Sequence, residues 1–111
     1  MTSKEVADIV RAQIGDRWGF RNAHGVDIGR CLVPPVEINI IARNVRAGRV
    51  SDEILRVWLV LEERTVERDR YKIVFSETLH SFGLVSSGLA ADRHPVLCGW
   101  YGDFMNTLEG M

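Results

Sequence analysis

A period of two runs through Val36-Glu37-Ile38-Asn39-Ile40 directly behind Pro34-Pro35. The two prolines cannot continue a helix and favour extended chain. The alternation that follows is that of a strand with one buried face. Leading prolines suit an edge strand. Two later runs share the period: Tyr71, Ile73 and Phe75 against Lys72 and Val74, then Phe82 and Leu84 within Ser81–Ser86.

The segment Ile54–Glu63 carries two signals. Ser51 with Asp52 and Glu53 resembles a helix start, whereas Val57-Trp58-Leu59-Val60-Leu61 is β-branched and aromatic and precedes two strand-like runs. Whether residues 51–63 are strand or helix stays open at this point; the strand is preferred. That reading puts Leu55, Val57, Leu59 and Leu61 on the core face, with Ile73, Phe75, Phe82 and Leu84. Arg56, Trp58, Val60 and Glu62 then lie on the opposite face.

The ends read as helices. Thr2 and Glu5 form a capping box, Val6, Ile9, Val10 and Ile14 make one apolar stripe, and Gly15 stops the helix. Trp18 and Phe20 are expected to anchor the glycine-containing loop 16–30. Tyr101, Phe104, Met105 and Leu108 form a second stripe, opened by Gly102-Asp103 after a loop at 89–98. Gly99-Trp100-Tyr101 is expected to dock with that helix on the sheet. Residues 63–70 form a charged connection, and 62–72 hold four acids against four bases. The expected architecture is therefore α+β: a three- to four-stranded antiparallel meander, with an N-terminal and a C-terminal helix packed on one face.

A chain of 111 residues, 46% hydrophobic and 26% charged, fits one small globular domain over 1–111. Such a composition excludes a disordered polymer, a collagen-like fibre and a disulfide miniprotein. The formal net charge of −1 argues against a polyanion binder overall. The balance is uneven, with six arginines against two acids over residues 17–49 and one arginine against four acids over 76–111. Cys31 and Cys98 stand in apolar settings without ligand spacing and read as buried free thiols. The polar start and the short longest apolar run, Val57–Leu61, point to a cytoplasmic protein without a membrane span.

Motifs of chemistry are sparse. His24 and Asp27 share a glycine-containing loop and could act as a base with its orienting acid, yet no nucleophile stands at a diagnostic spacing. His80 follows Glu77 by three residues in an expected turn. His24, His80 and His94 are scattered, so neither a metal nor a cofactor is expected. Arg43, Arg46 and Arg49 offer anion contacts, but no aromatic residues interleave them and the chain is not basic.

The leading expectation is a small protein-interaction or accessory module without catalytic activity, bound to a protein partner or to itself as a homodimer. The interaction surface would be Arg56, Trp58, Val60 and Glu62. An apolar patch of that kind needs cover from the 16–30 loop, a second copy or a foreign partner. A small-ligand binder or enzyme using His24 and Asp27 is one alternative. A nucleic-acid-associated protein using Arg43, Arg46 and Arg49 is the other, and the less favoured.

Overall fold

The computed structural model describes residues 1–63, 71–86 and 94–111. The readings made for residues 64–70 and 87–93, the charged connection and the end of the third strand run, lie outside the described residues. Five strands close into a barrel in the order β1 (Leu32–Arg46), β2 (Arg49–Glu62), β3 (Tyr71–Ser76), β4 (Ser81–Ser86) and β5 (Val96–Gly102). Helices α1 (Ser3–Ile14), α2 (Ile28–Cys31) and α3 (Phe104–Glu109) accompany them. This corrects the expected open meander of three or four strands. Neighbouring strands are antiparallel, except that β1 and β5 meet in parallel at Ile41 and Val96.

Closure gives the sheet two apolar faces. Ile40, Val57, Leu59, Val74 and Val85, with Ile38, Leu55, Leu97 and Trp100, form a cluster drawn from all five strands that fills the barrel. Trp58, Val60, Leu61, Ile73, Phe75, Phe82 and Leu84 form the other cluster, with the buried faces of the three helices. A sheet covered on both faces reads as a nearly continuous apolar run, so its sequence cannot declare which face meets the helices.

Here the expected phase of β2 is reversed. Trp58 pairs across the ladder with Phe75 and shares its helix-covered side, while Leu55, Val57 and Leu59 face inward. The Trp58 indole Nε1 donates to Glu77 Oε1 at 2.8 Å, which supplies the partner a largely buried indole N–H needs. A register shift between Leu59 and Leu61 sets two residues of β2 against one of β3. This bulge turns Val60 and Leu61 together toward the helices.

The remaining elements follow local chemistry. Thr2 and Glu5 complete the capping box of α1, and Val6, Val10 and Ile14 are buried. Asp103 caps α3, whose Phe104, Met105 and Leu108 are buried. Tyr101 belongs to β5 rather than to that helix, and residues 96–98, expected as loop, are strand. Gly83 faces Trp100 across the β4–β5 ladder; a Cβ there would lie 2.5 Å from the indole, so only glycine admits the ring. Phe20 packs against the helix-side core, but Trp18 is exposed and anchors nothing there. Among the described residues no helix is long and apolar enough to cross a membrane.

Candidate protein-interaction surface

Strands β1 and β2 run past the barrel as a two-stranded arm. Its last pairs are Ala42 with Glu53, Arg43 with Asp52, Asn44 with Ser51, Val45 with Val50 and Arg46 with Arg49. The connection is Ala47-Gly48, both with positive φ (51° and 76°), the geometry of a two-residue type I′ hairpin turn. Five residues at strand rise give the arm a reach of about 17 Å. Among the described residues β3 joins β2 only from Trp58 onward and β5 meets β1 only at Ile41, so the arm has two unpaired edges.

The arm's outer face is unusually apolar for so open a structure. Val45, Val50 and Ile54 are 68%, 63% and 56% exposed. Between them lies one ion pair, Arg43 Nε to Asp52 Oδ1 at 3.0 Å. The inner face carries Arg46 opposite Arg49, then Asn44 opposite Ser51 and Ala42 opposite Glu53. A cleft of ≈ 720 Å³ continues from this side of the arm to exposed Leu79 on the β3–β4 turn and to Leu97, Cys98 and Trp100 on β5.

The three arginines named from sequence are therefore split. Arg43 is on the outer face and paired, while Arg46 and Arg49 face each other on the inner one. The patch expected around Trp58 is also dismantled. Trp58 is 8% exposed and Val60 fully buried, both covered by the chain's own helices. Arg56 is exposed and ion-paired with Glu37, and Glu62 is half-buried at the far end of β2. A dimer centred on the Trp58 side chain has no accessible centre.

The histidine constellation does not assemble around a shared function. Asp27 caps α2 by accepting from the Gly29 amide at 2.8 Å, and its other oxygen lies 3.7 Å from Arg21. His24 is exposed on a tight turn, where Asn22 Oδ1 accepts from the His24 and Val26 amides. Glu77 accepts from Trp58, and the His80 ring meets Phe75 edge-on at 5.3 Å. Among the described residues no three His, Cys, Asp or Glu side chains converge as a metal site. Cys31 is buried as expected, but Cys98 is exposed on β5. Burial of its surroundings pushes the Cys98 thiol pKa up.

A second concavity, a groove of ≈ 540 Å³, lies between α1 and the start of β1. Ala7, Val10, Leu32, Val33, Pro34 and Val60 form apolar wall, with Lys4 and Arg11 as its charged residues. It opens where the β1–β2 register shifts between Leu32 and Val36, at the two prolines that cannot donate to the ladder.

Sequence reasoning missed Val45, Val50 and Ile54 as surface candidates. The signal was present: a two-residue link ending in glycine, flanked by Val45-Arg46 and Arg49-Val50, is a hairpin signature. Compared with known proteins, the chain matches no family model, no curated protein and no solved structure.

Proposed function

We propose that the chain is a protein-interaction or accessory module that engages its partner through the β1–β2 arm. The observation that carries this reading is the pair of backbone edges left open among the described residues, beside exposed Val45, Val50 and Ile54. Unpaired strand edges template the addition of another strand, and proteins that do not use such edges blunt them. The arm has no proline and no bulge along its five outer pairs. Its three arginines stand beside two acids, Asp52 and Glu53, and Arg43 is already ion-paired, so Arg46 and Arg49 alone are left for phosphates, fewer than the many contacts on which phosphate-backbone binding rests. A protein strand is the better fit.

The test is a photo-crosslinking amino acid placed at Val50 in producing cells, with the same group at exposed Ala12 of α1 as the control. Protein adducts are expected at position 50, and Val45→Asp in the same chain should reduce them. Adducts equally abundant at position 12, or none at position 50, would overturn the arm reading.

A further inference from the structure

Resting on the arm reading, we infer that the strand completing the arm is β2 of a second copy, paired antiparallel about a two-fold axis at Ser51. The first support is the direction of the backbone groups. The Ile41 N–H donates to the Pro95 carbonyl at 2.8 Å, so Ile41 points its amide away from β2. Antiparallel pairs alternate between those that exchange hydrogen bonds and those that point outward. The register is unbroken from Val36 to Arg46, so Ile54, Asp52 and Val50, opposite Ile41, Arg43 and Val45, point their N–H and C=O groups off the free edge of β2. That edge is a ready half of a ladder.

The second support is charge. Arg49 and Glu53 project from the same face, two residues to either side of Ser51. Neither has an ion-pair partner among the described residues, whereas Arg43, Asp52, Arg56 and Glu37 are already paired. Directly opposed residues in an antiparallel ladder share a face, so the axis must pass through a residue position. An axis at Ser51 sets Arg49 against the partner's Glu53, and Glu53 against the partner's Arg49. It sets Val50 against the partner's Asp52 as the hydrogen-bonded pairs, with the two small serines at the centre.

The neighbouring registers are poorer. An axis at Asp52 or Glu53 opposes a carboxylate with its own copy. One at Ile54 brings the partner's Val50 opposite Trp58, where β3 already pairs. One at Val50 leaves Arg49 and Glu53 without each other. The self-complementarity is thus specific to one register, and a two-fold contact of this kind closes on itself.

Sedimentation equilibrium on the full chain tests this. Wild type should show a reversible monomer–dimer equilibrium. Arg49→Glu alone and Glu53→Arg alone each create two like-charge contacts and should weaken the dimer by about tenfold. The double variant restores both pairs with inverted sign and should recover the wild-type constant to within about threefold. Asp52→Pro removes an edge N–H without touching the intrachain ladder and should weaken dimerisation beyond Asp52→Ala. Circular dichroism checks that each variant keeps the fold. A wild type that stays monomeric to about 1 mM, a dissociation constant near the weak limit of specific association, would overturn the self-pairing. So would a dimer indifferent to the charge swap and the proline. If adducts to a different protein still formed at position 50, the arm reading would survive that result; without adducts, both would fall.

Discussion

The Cys98 side chain reaches solvent from β5, yet the protein around it strips enough hydration to disfavour the thiolate and raise its pKa. Only the thiolate attacks alkylating agents. At neutral pH, alkylation of Cys98 should therefore be slower than that of free cysteine, and its rate should climb through a midpoint displaced to higher pH. Cys31, the last residue of α2 and buried in the helix-side core, should react only on unfolding. Iodoacetamide labelling followed by mass spectrometry across a pH series checks both, and a Cys98 faster than free cysteine at pH 7 would contradict the shift. The two thiols read alike in the sequence because each follows an apolar pattern, and no local pattern states which strand lies at an open rim. Trp58 shows the same limit. Its apolar neighbours mark a strand, but the Phe75 side it shares and the Glu77 that accepts its N–H are set by pairing with β3, a long-range choice.

Helix α3 spans only six residues, too few to hold its shape alone. It persists because Phe104 and Leu108 are fully buried, and because Asn22 Nδ2 donates to the Leu108 carbonyl at 3.0 Å. The Phe104 amide also donates to Gln13 Oε1 at 2.6 Å, tying α3 to α1. Deleting residues 104–111 should strip one wall from the helix-side core. Truncating a single buried Phe already costs about 3–5 kcal/mol, so the shortened chain should lose its cooperative thermal transition or melt far lower. An unchanged melting temperature would show that α3 does not brace the barrel. At this scale the two terminal helices were legible, since caps and periodicity are written within one turn or two. Strand β5 was not, because Val96–Gly102 contains two glycines and no alternation, and its aromatic end mimicked the stripe of α3. The bulge at Val60-Leu61 was equally silent, as it depends on how many residues β3 presents opposite.

Across the whole molecule, strand closure is the property the sequence least discloses. Alternation announces faces but not whether a sheet stays open, and nothing local says that β1 will meet β5. The arm was half legible: its turn residues are in plain view, while its open edges among the described residues emerge only once the barrel defines where β3 and β5 stop. That same meeting of β1 and β5 is slender among the described residues, one parallel pairing at Ile41 and Val96 backed by the Ile41–Pro95 hydrogen bond. Its two sides are far apart along the chain, so bringing them together waits on the strands between, and it should be the last event in folding. The barrel then behaves as a cuff with a clasp. Unfastening the clasp sacrifices little and leaves the long β1–β2 ladder intact, so the Ile41 amide should exchange with deuterium by a local opening far cheaper than the global one that releases Ile73. Residue-resolved exchange by NMR measures the difference, and equal protection at the two amides would mean that the cuff opens only by unfolding. Each brief unfastening would bare Ile40, Leu59 and Val85 to the solvent, so the seam would govern how often this protein shows its interior to its surroundings.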